Sequence, residues 1–211
     1  MDYRFIALEG NIGAGKSTLA GKLAHDYNAL LVNEQFDDNS FLPKFYKNPD
    51  KYAFPLELSF LAERYQQMKD VLSSGNLFHD FIVADYFIAK SLVFAKKTLQ
   101  QDEFALYTRL YKIINSTLPA PDLVVYLHVD VPKLQENIHN RGRDYEQEIP
   151  DGYLERIQQS YFEFMQQRED LRILIIDTNE IDFVQNPQDY ERLKTLIMKK
   201  EYPKGIHRVT P

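Results

Sequence analysis

Gly10-Asn11-Ile12-Gly13-Ala14-Gly15-Lys16-Ser17-Thr18 follows the pattern G-x-x-x-x-G-K-[ST], with Gly10, Gly15, Lys16 and Ser17 on its fixed positions. Glycines let backbone N–H groups crowd around an anion without interference from Cβ atoms. A lysine at position 16 can reach the outer phosphates of a nucleoside triphosphate, and the Ser17 hydroxyl can hold Mg²⁺. The pattern carries this meaning only between a strand and a helix. The apolar run Phe5–Leu8 precedes it, and Leu19, Ala20, Leu23 and Ala24 follow at helical spacing. Without those flanks it would be a glycine-rich turn. With them it is a phosphate cradle on a positively polarised helix N-terminus.

Working outward, apolar runs recur at 5–8, 29–32, 81–84, 123–127 and 173–176, each short enough to be a buried parallel strand. Helical patterns separate them at 52–72, 86–99, 102–118, 131–140 and 150–168. The reading is a P-loop NTPase-type three-layer α/β fold: a five-stranded parallel sheet, helices on both faces and right-handed crossovers. It is expected to form one domain over residues 1–211. The polar, basic stretch 199–211 (K-K-E-Y-P-K-G-I-H-R-V-T-P) reads as a loosely held terminus.

Composition narrows the function. The 211 residues carry a net charge of −6, which disfavours general nucleic-acid binding and requires local positive charge wherever an anion binds. There are no cysteines, so disulfides and thiolate metal sites are excluded. No secretory leader is read at the N-terminus, and no apolar run is long enough to span a bilayer. A cytoplasmic location without membrane partners is expected.

Ligands in such folds bind beyond the carboxyl ends of the strands. Glu34, after the second run, could accept the proton of a substrate hydroxyl during phosphoryl transfer, or be a solvated loop residue. Asp85, after the third run, could organise Mg²⁺ beside Ser17, or cap the next helix. Arg141-Gly142-Arg143 suits a lid over phosphates at about 141–150, because guanidinium forks match phosphate oxygens. It could equally be an exposed helix end with a glycine cap. The five histidines have no metal-ligand spacing. The absence of N-K-x-D, and of D-x-x-G after the second strand, argues against a GTPase switch.

Taken in order, Glu9 to Thr18, Asn33-Glu34, Phe45-Tyr46, Tyr52 to Leu58, Glu63-Arg64, Ala84-Asp85-Tyr86, Arg141-Gly142-Arg143 with Glu146, and Tyr153-Leu154 resemble the deoxyribonucleoside kinase family, in particular its bacterial deoxyguanosine/deoxyadenosine kinase branch. The resemblance runs from about Arg4 to Leu196. It implies transfer of the ATP γ-phosphoryl group to the 5′-OH of a deoxynucleoside, with ATP as donor and Mg²⁺ as cofactor. Glu34 would be the base, aided by Lys16, Arg141 and Arg143. Tyr46 and Glu146 would hold the sugar, and Glu57 and Arg64 would read the base edge. Asp85 would join Ser17 at the metal and border the substrate. Asp182-Phe183 would lie near the ATP adenine. A homodimer through the helices of 86–99 and 102–118 is also implied.

Two departures refine the resemblance. Many members carry an acidic-Arg-Ser motif where this chain has Asp85-Tyr86-Phe87, the form of the deoxyguanosine kinase branch. Lys90, about one turn beyond Tyr86, is the expected substitute for the missing arginine. Glu57 stands where many relatives have glutamine. A carboxylate only accepts hydrogen bonds, so it favours guanine, with two adjacent donors, over adenine. The alternatives are a nucleoside monophosphate kinase, such as a thymidylate kinase, or a non-catalytic nucleotide-binding regulator. The first would need an Asp-Arg pair where Asp85-Tyr86 stands.

Overall fold

The computed structural model describes residues 3–34, 39–73, 79–198 and 201–211. The chain alternates strands and helices: β1 (Phe5–Gly10), α1 (Lys16–Asp26), β2 (Leu30–Val32), α2 (Leu42–Lys47), α3 (Pro49–Ser73), β3 (Ile82–Ala84), α4 (Lys90–Thr98), α5 (Gln101–Asn115), β4 (Leu123–His128), α6 (Val131–Arg141), α7 (Asp151–Gln166), β5 (Arg172–Asp177), α8 (Pro187–Met198) and β6 (Gly205–Val209). Among the described residues the sheet has six strands in the order β2-β3-β1-β4-β5-β6, every pair parallel.

Strand periodicity builds two cores at once, because successive side chains leave opposite faces. Ile6 and Leu8 of β1 pack with Leu19 and Leu23 of α1, Leu134 and Ile138 of α6, and Leu193 and Ile197 of α8. Phe5 and Ala7 face the other way, toward Leu61 of α3, Val93 of α4, Tyr107 of α5 and Met165 of α7. The second face carries the helices that border the acceptor side of the site.

The sheet departs from the expected five strands, and the C-terminal stretch is the reason. Residues 199 and 200 lie outside the described residues, but Gly205–Val209 adds a sixth strand to the edge of β5, with Ile173 opposite Ile206 and Ile175 opposite Arg208. Tyr202 is buried, and its backbone N–H donates to the Tyr3 hydroxyl at 3.0 Å, which anchors the run. Basic, polar composition suits an edge strand, where charge discourages further pairing.

Helix 86–99 is also shorter than its pattern. Residues 85–89 stay outside α4 because the Phe87 N–H donates to Glu9 Oε1 at 2.7 Å, a buried bond to β1. The N-cap alternative for Asp85 falls with this, since α4 starts only at Lys90. α5 begins at a capping box, Glu103 Oε2 accepting from the Gln100 N–H at 3.1 Å.

Candidate active site

The loop between β1 and α1 is built by glycine geometry. Gly13 and Gly15 have φ of +83° and +84°, the left-handed region. A Cβ on Gly15 would stand 2.6 Å from the Phe183 ring, and one on Gly13 would stand 2.9 Å from the Leu134 carbonyl oxygen. The Lys16 ammonium folds back to donate to the Asn11 carbonyl oxygen at 2.8 Å. Asn11 Nδ2 in turn donates to the Leu154 carbonyl oxygen, and Asn137 Nδ2 on α6 donates to that of Gly13 at 2.9 Å. The cradle is thus braced from α6 and α7. Burial, with Lys90 adding repulsion, lowers the Lys16 pKa to about 8.

A cleft of about 830 Å³ opens over this loop, lined by Gly13 to Thr18, Arg141, Arg143 and the segment 178–185. That volume can hold a nucleoside triphosphate. Asp182 and Phe183 border it. Lys22 holds their segment by donating to the Phe183 and Val184 carbonyl oxygens at 2.8 and 2.9 Å. Asp182 Oδ1 accepts from the N–H groups of Val184 and Gln185, shaping the turn.

On the other side of Lys16 a narrower pocket brings together Glu34, Tyr46, Glu57, Arg64, Asp85, Lys90, Arg141, Arg143 and Glu146. Asp85 links the two halves. Its Oδ2 accepts from the Ser17 hydroxyl at 2.5 Å, and its Oδ1 accepts from the Glu34 N–H at 2.6 Å. Those two oxygen-bearing side chains suit Mg²⁺, which takes few protein ligands and fills its shell with water and phosphate oxygens.

Glu34 is the most heavily paired carboxylate here. Its Oε1 accepts from Arg64 Nε at 2.9 Å and Nη2 at 2.6 Å, and its Oε2 pairs with Lys90. The side chain is only 8% exposed. Burial alone would raise its pKa, but Lys90 and Arg64 outweigh burial and lower it to about 2. Arg64 therefore faces Glu34, and its Nη1 donates to Ser91 Oγ at 2.7 Å. Arg64 lines the same pocket as Glu57, both side chains reaching it from α3. Tyr86, in the position of the missing arginine, donates its hydroxyl to Gln67 Oε1 at 3.0 Å, away from Glu34. Lys90 reaches Glu34 instead.

Glu57 sits deeper. Its Oε1 accepts from the Thr98 hydroxyl at 2.8 Å, while its Oε2 is buried with no hydrogen-bond partner among the described residues. Burial raises its pKa to about 7, the Thr98 bond and the Arg64 and Lys90 charges opposing the rise. At the pocket mouth Tyr46 stacks on Tyr145, ring centroids 6.2 Å apart. Glu146, buried in a single 3₁₀ turn at Asp144–Glu146, pairs with Arg141 and lies 3.5 Å from Arg143. Gly142 takes the left-handed cap that turns the chain between the two arginines. Both border the two cavities and are turned to Glu146.

Sequence reasoning missed Glu9, Thr98 and Asn137 as supports of the site. Glu9 had a signal, a carboxylate in an otherwise apolar strand. Its two oxygens accept from the Phe87 N–H and, at 2.8 Å, from the Tyr161 hydroxyl. Thr98 and Asn137 had none, since each matters only through a neighbour distant in the chain.

A glycine-rich phosphate loop on a parallel sheet, beside a narrow pocket with a charge-paired carboxylate, defines an enzyme that moves a phosphoryl group from a nucleotide to an acceptor. Three comparisons make the class specific. The family model for deoxynucleoside kinase matches residues 6–201. The chain is 36% identical over 193 residues to the deoxyguanosine kinase of Bacillus subtilis (strain 168), covering 90% of this chain and 93% of that protein. It is 34% identical over 199 residues to the deoxyadenosine kinase of Dictyostelium discoideum, covering 93% of this chain and 78% of that protein. The solved structure of deoxyadenosine kinase from M. mycoides, with dCMP and dCDP bound, superposes with a TM-score of 0.79 at 25% identity, covering 92% of this chain and 99% of that one. The chain belongs to the deoxynucleoside kinase family. It is an ATP-dependent phosphotransferase that binds deoxynucleosides and nucleotides. The monophosphate kinase and regulator readings are set aside.

Proposed function

We propose that the enzyme phosphorylates the 5′-OH of purine deoxynucleosides for nucleotide salvage, deoxyguanosine ahead of deoxyadenosine. The observation that carries this is Glu57: a buried carboxylate with one oxygen on Thr98 and the other without a partner. An unpaired buried acceptor demands a donor, and guanine brings two side by side. Tyr46 and Glu146 hold the sugar. Tyr46 also crowds the 2′ position, so ribonucleosides are disfavoured.

Glu34 receives the 5′-OH proton. A carboxylate held near a pKa of about 2 is a weak base but always ionised. It suits a loose transfer, in which the acceptor oxygen loses its proton late and alignment matters most. Lys90 stands in for the absent arginine in holding Glu34. Lys16 binds the migrating phosphoryl group, and Arg141 and Arg143, on a lid at about 141–150, meet its growing charge once ATP draws them from Glu146. Ser17 and Asp85 would hold Mg²⁺, which when bound offsets phosphate charge.

We further propose a homodimer, on the strength of exposed Leu106 and Ile113, which with Leu110 line one side of α5. Residues 1–211 are read as a single kinase domain working in the cytoplasm. No described helix is long and apolar enough to cross a membrane.

The test is ATP consumption with deoxyguanosine, deoxyadenosine, deoxycytidine and thymidine, and with their monophosphates. Highest kcat/KM on deoxyguanosine, then deoxyadenosine, is expected. A preference for a pyrimidine deoxynucleoside would overturn the purine reading.

A further inference from the structure

The Thr98 hydroxyl has two acceptors and one proton. Its Oγ1 lies 2.8 Å from Glu57 Oε1 and 3.1 Å from the Phe94 carbonyl oxygen one turn earlier in α4. The carbonyl can only accept. When Glu57 is ionised, the proton goes to Glu57 and supports its charge. When Glu57 is neutral, Thr98 is free to turn its proton back to Phe94. Both arrangements keep the heavy atoms where they are.

We propose that Thr98 is a specificity-determining residue, holding Glu57 in its charged, accept-only form and so favouring guanine over adenine. The inference rests on the reading of Glu57 as the group that meets the base. Ionised, Glu57 offers acceptors alone, which match the neighbouring N1–H and N2–H₂ of guanine. Adenine presents an amine beside a ring nitrogen that itself needs a donor. Glu57 provides that donor only when it carries a proton, and Oε2, which has no hydrogen-bond partner among the described residues, is the atom to carry it.

The surroundings permit either state. Facing Glu57 are Arg64 from its own helix, Lys90 from α4, Glu34 beyond β2, Tyr107 from α5, Tyr46 from α2 and Tyr153 from α7. Arg64 and Lys90 are largely spent on Glu34. The Tyr107 hydroxyl donates to the Glu57 backbone carbonyl at 3.2 Å, not to its carboxylate. That leaves Thr98 as the donor resting directly on the carboxylate among the described residues, opposing the burial that pushes Glu57 up to about 7.

Purine choice should therefore follow pH. The deciding measurement is the ratio of kcat/KM for deoxyguanosine to that for deoxyadenosine, from about pH 6 to about pH 8.5, in wild type, Thr98→Val, Thr98→Ser and Glu57→Gln. In wild type the ratio is expected to rise with pH as Glu57 ionises. Thr98→Val keeps the shape and removes the donor. It should lower the ratio about tenfold near pH 7 and move the rise to higher pH. Thr98→Ser, which keeps the hydroxyl, should restore both. Glu57→Gln should give a low ratio independent of pH. A Thr98→Val ratio and pH profile matching wild type, with Glu57→Gln still shifted, would overturn the role of Thr98 and leave Glu57 as the base reader. An unshifted Glu57→Gln would overturn both. Should Thr98→Val not fold, a wild-type ratio flat across the range would by itself overturn the inference.

Discussion

The donor cleft and the acceptor pocket meet at Lys16 and Ser17, yet they are made of different material. The donor cleft is wide and centred on one continuous loop, whose backbone N–H groups and following helix end supply the positive field. The acceptor pocket is narrow and formed largely from side chains on α2, α3, α4 and α7 and on the segments after β2, β3 and α6. Its charges are already paired, Glu34 with Arg64 and Lys90, and Glu146 with Arg141. Phosphate binding needs a local motif that tolerates any nucleoside. Acceptor choice needs a network that fixes one hydroxyl and one base edge, and such a network has to be assembled from across the chain.

Breaking the donor side should cost most. Lys16→Met is expected to lower kcat about 10³-fold, because its charge serves the transferred group. With the Lys16 pKa at about 8 in the free enzyme, its charged form prevails below that pH. ATP affinity in wild type should therefore weaken as pH rises through about 8, and calorimetric titration at two pH values would check it. An unchanged affinity would separate Lys16 from the phosphates.

On the acceptor side the losses should be smaller and confined to the acceptor. Lys90→Met should lower kcat about tenfold and raise the nucleoside KM, with the ATP KM within about twofold of wild type. Unchanged turnover and nucleoside KM would mean that Lys90 does not replace the missing arginine.

The smallest effect expected is on stability. A carboxyl whose folded pKa lies above its unfolded value binds an extra proton when folded, so its contribution falls as pH rises between the two values. For Glu57 that window runs from its ordinary value of 4.5 to about 7. Glu57→Gln should thus gain about 1–3 kcal/mol over wild type between about pH 4 and about pH 8, read from urea midpoints. Equal differences at both pH values would show that Glu57 is not held back from ionising.

The contrast also explains what could be read in the sequence. The loop, its strand and its helix were legible because their residues are neighbours in the chain. Glu34, Asp85 and the Arg141/Arg143 pair were legible as candidates because strand ends and helix ends are predictable places for ligands. The sugar- and base-binding roles of Tyr46, Glu57, Arg64 and Glu146 came from resemblance. The turn of Arg64 toward Glu34 was hidden because it depends on a contact 30 residues away. The short start of α4 was hidden for the same reason, Glu9 and Phe87 being 78 positions apart. The sixth strand was missed because edge strands tolerate the charge and polarity that mark loose termini.

Glu34→Gln tests the central claim most directly, namely that an acceptor half built around Glu34 gives the phosphate loop its purpose. The measurement is steady-state kcat on deoxyguanosine, with the ATP KM determined alongside. The account predicts a fall in kcat of about 10²-fold or more with the ATP KM within about twofold of wild type. Near-normal turnover would contradict it.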